Sequence, residues 1–461
     1  RWRVGVLASL WWVCGGPAGA TFSAKVGLPV LTRAFGMPFQ AVQWVVLVYL
    51  LAITTTVVSA GRLGDLIGRR RLMLAGLALF TVACAVCGAA PGLWILVAAR
   101  AAQGLGAAVM MALTMAFVSE AVPPGRAGSA MGLLGTMSAA GTALGPALGG
   151  ALISGAGWRA IFLVSVPLGV LACWLAWRHL PADGARSPRR AGRFDGQGSA
   201  LLAMTLAAYA LSMTLGRGGF GWGNGVLLAT AAAGAGLFVR LESRAAHPLI
   251  RPALFGSAGL AGGFAASARV ATVMMATLVV GPFYLAGALG LDAARVGLAM
   301  SCGPVVAALA GIPAGRCVDR FGARPMTLAA LSAMALASAT LPMASATFGV
   351  VGYVVLLGMI TAGYALFQAA NNTAVMAGVN GEERGAVSGL LNLSRNLGLI
   401  TGASAMGAVF AAGSGAVEVT AAPAESIAAG LRAVFAVAAM LIVLAAAATV
   451  AGRKRPAAVR P

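Results

Sequence analysis

The sequence predicts an all-α membrane protein of fourteen transmembrane helices, built as two six-helix bundles with two further helices inserted between them. Three observations lead there. The 461 residues are 60% hydrophobic and only 9% charged, more apolar surface than a water-soluble core can hide. The apolar residues come in blocks of about 20, the length a helix needs to cross about 30 Å of hydrocarbon, and 64 glycines suit close helix approach in a membrane. The chain also repeats itself. GRLGDLIGRR at 61–70 returns as GRCVDRFGAR at 315–324, an offset of 254 residues, and Gly128, Gly132, Leu133, Leu134 and Gly145 return as Gly385, Gly389, Leu390, Leu391 and Gly402, an offset of 257. Two echoes at nearly one spacing imply duplicated bundles with a cavity between them.

In order, the spans fall near residues 4–31, 41–60, 72–90, 93–118, 128–154, 157–178, 198–216, 222–240, 258–289, 293–314, 325–345, 347–377, 387–411 and 428–451. The first carries no cleavage pattern and is read as a retained anchor. Spans seven and eight lie between the repeats, after the polar, arginine-rich stretch 181–198, so an inserted pair accounts for fourteen spans rather than twelve. The domains expected are residues 1–180 (N-terminal bundle), 181–256 (linker and inserted helices) and 257–461 (C-terminal bundle and basic tail).

A net charge of +21 raises the possibility of nucleic acid, but its placement argues against it. With the N-terminus inside, and residues near a span end counted with the adjoining loop, inner loops and tails carry 23 Lys/Arg, outer loops 5 and span interiors 4. That asymmetry puts both termini in the cytoplasm of a multi-pass protein of the plasma (cytoplasmic) membrane, its basic loops facing anionic lipid. Cys14, Cys84, Cys87, Cys173 and Cys302 lie in apolar helices and Cys317 in an inner loop; the pair Cys84 and Cys87 has no His or acid nearby and reads as buried packing. No metal site is expected.

The stretch 61–71 carries chemistry. Its glycines allow a tight turn between helices, and Asp65 suits the N-terminal dipole of a neighbouring helix or an arginine fork. Gly61, Gly64, Asp65, Gly68, Arg69 and Arg70 are read as an inner latch between the bundles, with Asp319 as a weaker counterpart. Simple anchoring by positive charge explains the arginines but neither Asp65 nor the glycine spacing. Gly141, Gly145, Pro146, Gly149 and Gly150 form a glycine face with one proline, which bends a helix and lets its neighbour close in as a pivot; generic packing is the alternative. Arg100 lies inside a span, where a guanidinium needs a wet cavity and a partner; alternatively it bonds only neighbouring carbonyls. Gln103, Asn371, Asn372 and Arg395 are further polar groups within spans.

Lys25 is one of two lysines against 30 arginines. Arginine effectively never deprotonates, whereas a lysine in a dry, basic pocket can titrate near neutral pH. Lys25 is therefore read as a charge-switching cavity residue, the alternative being a lysine that snorkels or bonds a broken helix near Pro17.

GRLGDLIGRRR resembles the signature loop of the major facilitator superfamily. RAAQGLGAA at 100–108 and GTALGPALGG at 141–150 resemble its fourth-helix and fifth-helix motifs, the latter associated with antiporters. VQWVVLVYLL at 42–51, GWRAIFLVSVPLG at 157–169 and RFDGQG at 193–198 resemble the fourteen-helix drug/proton antiporter branch. The resemblance is dense in the N-terminal half and thin in the C-terminal half. It implies the major facilitator fold, a role for Arg100 in proton coupling, and drug efflux of the kind that confers multidrug resistance. One departure stands out: the branch opens with an aspartate nine residues before a proline, and Ala20 stands nine before Pro29, with no acid at mid-membrane depth elsewhere.

The expectation is a non-enzymatic secondary transporter, a proton-coupled exporter of a small organic molecule working by alternating access. It needs no cofactor beyond the proton gradient, binds small-molecule substrate and lipid bilayer but no nucleic acid, and functions as a monomer. The lack of deep acids predicts a net-positive cavity that prefers anionic or neutral-polar substrates. Facilitated or symport-type uptake of a polar metabolite is the alternative, and a membrane enzyme or receptor a remote one.

Overall fold

The computed structural model describes residues 30–31, 34–37, 39–121, 126, 129–137, 152–153, 155–180, 195–214, 221–245, 258–291, 293–377, 379, 383–415 and 423–451. They form an all-helical array: α1 (Phe39–Ile67), α2 (Arg69–Ala89), α3 (Leu93–Ala121), α4 (Ala160–Leu163), α5 (Ser165–His179), α6 (Gly196–Thr214), α7 (Trp222–Glu242), α8 (Ala258–Phe283), a π turn (Tyr284–Ala288), α9 (Ala293–Phe321), α10 (Ala323–Ala377), α11 (Arg384–Ser414) and α12 (Ala424–Ala451). Among the described residues, ten helical segments are long and apolar enough to cross a membrane. In hydrocarbon the helix satisfies every backbone group internally, which is why such apolar blocks adopt it. The first expected span and most of the fifth lie outside the described residues.

Two features differ from the sequence reading. The 55-residue α10 would run about 80 Å at 1.5 Å per residue, far beyond a bilayer core. Gly349, at φ 59° and ψ −133°, breaks it, so it makes two crossings, the expected spans eleven and twelve, with almost no loop between. The stretch 61–71 is also not a loop. α1 continues through Ile67, and the turn is the single residue Gly68 at φ 107°, matched by Gly322 at φ 88° between α9 and α10. Only glycine adopts such a backbone without a Cβ clash. Gly61, Gly64 and Asp65 are helical, so the first two serve close contact rather than turning.

α1 packs on α3 and α11, α2 on α3 and α5, α8 on α11 and α12, and α10 on α9 and α12. One large apolar cluster joins α1, α2 and α3 to parts of α5 and α6 and to Val387, Leu390 and Leu391 of α11. A second lies wholly within residues 266–445. Because lipid tails are as apolar as leucine, such contacts hold by close packing rather than by escape from water. α6 touches both α1 and α11, and its Tyr209 hydroxyl hydrogen-bonds the Thr401 hydroxyl of α11.

Candidate functional site

The N-terminus of α11 supplies no capping side chain of its own. Asp65, near the C-terminal end of α1, does so from across the molecule. Gly385 N–H donates to its Oδ1 at 3.2 Å and Ala386 N–H to its Oδ2 at 3.1 Å. One carboxylate thus satisfies two orphan amides and meets the positive end of the helix dipole. Arg69, one turn further along, donates from Nε at 3.0 Å and Nη2 at 2.7 Å to the same Oδ1, and the two side chains are 3% and 2% exposed. The approach needs glycine on both sides. A Cβ on Gly61 would overlap the Gly385 carbonyl, and one on Gly385 would meet the Gly61 carbonyl and stand 2.7 Å from the Asp65 carboxylate.

The same construction occurs a second time. Asp319, near the C-terminal end of α9, accepts from Ser129 N–H at 2.9 Å and from the Ser129 hydroxyl. Residues 129–137 are helical, and this carboxylate meets the first of them. A Cβ on Gly132 would overlap the Gly311 carbonyl and lie 2.9 Å from the backbone of Gly315. The two sequence echoes are therefore the two sides of one contact. The aspartate of each repeat lies on the glycine-marked helix start belonging to the other.

The neighbouring arginines complete the pattern. Arg70 donates to the Trp177 carbonyl at the end of α5, and Arg324, its repeat partner, donates to the Thr449 and Val450 carbonyls at the end of α12, at 3.2 and 3.4 Å. A cation there meets the negative end of a helix dipole.

Toward the middle of the helices lies a small cavity of about 10 Å³, room for about one water. Met115 of α3 forms one wall; the rest comes from Ser267 of α8, Tyr364, Phe367, Gln368 and Asn372 of α10, and Leu391, Asn392 and Arg395 of α11. Asn392 Nδ2 ties α11 to α3 through the Met111 carbonyl at 3.1 Å. Gln368 Nε2 donates to the Tyr364 hydroxyl.

Arg100 is fully buried elsewhere. Its Nε donates to the Val45 carbonyl at 2.9 Å, Nη1 donates to Gln103 Oε1, and the guanidinium lies 4.0 Å above the Tyr49 ring. Gln103 passes its amide on to Cys84 Sγ at 2.9 Å. A π face and a carbonyl, rather than an acid, surround this cation.

The sequence profile of the Major Facilitator Superfamily matches residues 18–403 and 262–461. The chain is 34% identical over 395 residues to the multidrug resistance protein Stp of Mycobacterium tuberculosis, spanning 84% of this chain and 72% of that one. The chain belongs to the Major Facilitator Superfamily. Another relative of the superfamily, the drug efflux pump JefA of the same species, is 32% identical over 405 residues, covering 85% of this chain and 77% of its own. The fold is shared with a bacterial homologue of the iron transporter ferroportin, at a TM-score of 0.69 and 16% identity over 99% of this chain and 100% of that one. These likenesses place the chain in the superfamily's multidrug, drug/proton branch.

In this superfamily chain, Asp65, Gly61, Arg69 and Asp319 sit at the two aspartate contacts, Gly68 is the turn after α1 and Arg70 reaches the end of α5, whereas Gly64 faces Leu113 of α3. Asn372 and Arg395 line the cavity. Asn371 does not: it turns away to the Gly263 carbonyl at 3.2 Å. Arg100 and Gln103, expected in the same cavity, are not among the residues that line it. Lys25 and the pivot residues Gly141, Gly145, Pro146, Gly149 and Gly150 lie outside the described residues. Sequence reasoning missed Ser129, which stands where the repeat offset places Ala386, and missed Gln368 and Tyr364, which lie one and two turns before Asn372 on the same face.

Proposed function

We propose that this protein is a proton-coupled exporter of small organic molecules in the cytoplasmic membrane, a monomer of fourteen spans with both termini inside. Its bundles are residues 1–180 and 257–461, with the inserted pair in 181–256. The observation that carries the reading is the pair of crossed aspartate contacts. Each ties the end of one repeat's helix to the start of the other's, so the two open or close together. Charge placement puts them on the cytoplasmic side, where they act as an inner latch. The state described is closed at that end, and rocking of the bundles about the Gly141–Gly150 pivot would part both contacts and expose the cavity inward. Export is supported by the names of the Stp and JefA relatives and by the antiporter-type glycine–proline stretch. Protons enter through Lys25, which alternates between charged and neutral as substrate leaves and binds.

Inverted membrane vesicles test this. Energised vesicles should accumulate substrate, and adding substrate should release protons from the lumen, measured with a pH-sensitive dye. Lys25→Arg, which keeps charge but cannot titrate, should bind substrate yet lose pH-dependent turnover. A pH profile overlaying that of the parent would remove Lys25 from coupling. Substrate equilibrating without proton movement would replace export with facilitated transport.

A further inference from the structure

We infer that Asn392 is a gate residue of the transport path, an uncharged tie that holds the two bundles shut between the Asp65 latch and the cavity. The inference rests on the alternating-access reading and adds a residue to it.

The first turns of α11 run along the N-terminal bundle. Gly385 and Ala386 meet Asp65 of α1. One turn on, a Cβ at Gly389 would stand 2.7 Å from the Val57 carbonyl and 3.0 Å from Val58 Cα, so the two backbones stay close. Asn392 follows, about 10 Å beyond Gly385 along the helix at 1.5 Å per residue. It is 3% exposed. Its Nδ2 donates to the Met111 carbonyl of α3 at 3.1 Å and to the Ser388 carbonyl of its own helix at 3.0 Å. Asn392 also lines the cavity, together with Leu391 and Arg395 of the same helix. With room for about one water there, no small organic molecule fits in the state described.

The chemistry suits a contact that must cycle. Both neighbours are carbonyl oxygens, so the amide nitrogen, not its oxygen, faces them. The Ser388 bond orients the side chain on α11, and the Met111 bond spans the gap between the bundles. Met111 lies inside α3, where its carbonyl keeps a helical partner, so parting the bundles strands no backbone group. The freed amide can turn to water in the opened path. Unlike Asp65, it leaves no charge behind. Leu390, Leu391 and Leu393 are buried in one cluster with α1, α2 and α3, which keeps the bond dry, and therefore strong, while this end is closed.

The experiment uses the full chain without its native cysteines and with Ser267→Cys, a near-isosteric reporter on the cavity wall. A membrane-impermeant maleimide is added to inverted or to right-side-out vesicles, so that one face is probed at a time. From the cytoplasmic face the reporter should label slowly in the parent. Asn392→Leu keeps the bulk but not the donor, and should raise that rate about fivefold. Asn392→Ala, which removes bulk as well, should raise it at least as much. Labelling from the outer face should not rise in either, because time spent open inward is time closed outward. Each variant suffices alone, so loss of one to misfolding leaves the test standing. Parental cytoplasmic labelling in a folded variant would overturn the gate, and so would a rise from both faces, which reports general loosening. Cytoplasmic labelling that responds to Asn392 while substrate moves only inward would leave the gate standing and count against export. Proton-coupled export with labelling indifferent to Asn392 would do the reverse.

Discussion

The two aspartate contacts have the same geometry and different chemistry. At Asp65 the carboxylate receives two backbone amides from α11 and a two-pronged arginine from its own helix end. At Asp319 it receives one amide and a serine hydroxyl. The repeat offsets explain the exchange: Ala323 stands where Arg69 would be, and Ser129 stands where Ala386 is. One side is thus a buried ion pair across a helix dipole; at the other, a backbone amide and a serine hydroxyl meet the carboxylate. Losing a partner from a buried ion pair costs about 3–5 kcal/mol because the remaining charge is left stranded. Losing one neutral hydrogen bond costs about 1 kcal/mol. The buried Asp65–Arg69 pair is therefore expected to contribute strongly to the stability of the closed end.

That asymmetry can be broken in stages. Asp65→Asn should have the largest effect, removing the charge paired with Arg69 and weakening the α11 contact by about 3 kcal/mol, roughly a hundredfold in the closed population. Transport should fall at least tenfold while the protein remains folded in the membrane, read by initial rates in proteoliposomes. Gly385→Ala comes next, because the added methyl meets the Gly61 carbonyl and the Asp65 carboxylate, neither of which can swing aside. Overpacking of about 1–3 kcal/mol is expected, measured as increased labelling of inner-end cysteines by a membrane-impermeant maleimide. Asp319→Asn should follow, still accepting from Ser129 through its carbonyl but without charge, for a loss of about 1–2 kcal/mol. Ser129→Ala should be smallest, about 1 kcal/mol, with transport within a few fold of the parent. A larger effect from Asp319→Asn than from Asp65→Asn would reverse the ranking.

The sequence was informative where a residue's chemistry limits its surroundings, and less so where a distant partner decides. Asp65 could be assigned to a helix dipole or an arginine fork because few other settings suit an acid at a span end, and the structure shows both partners at once. That its dipole belongs to α11, and that Asp319 answers it on the other repeat, depends on contacts about 190 and 320 residues apart, which local pattern does not encode. Gly61 and Gly64 were read as turn residues because glycine serves turns and close contacts alike, and only the facing backbone distinguishes them. Asn371 and Asn372 could not be separated by sequence, since a helix turns about 100° per residue and its rotation is set by packing. Arg100 was expected to face a wet cavity and meet a partner, or to bond only neighbouring carbonyls. Its Nε meets the Val45 carbonyl, its Nη1 meets Gln103 and its plane lies on Tyr49, while Nη2 is buried without a partner; such groups are so common in apolar runs that nothing marks them in advance.

The central claim is that the buried Asp65 pair holds the two repeats together at this end, and a distance measurement across the latch tests it most directly. Ile67 at the end of α1 and Phe321 at the end of α9 are both exposed and can carry spin labels in a cysteine-free background. Double electron–electron resonance in nanodiscs should give a dominant short distance for the parent. Asp65→Asn should move most of that population to a longer distance, and Ser129→Ala should move little of it. A parental distance distribution in Asp65→Asn would contradict the account.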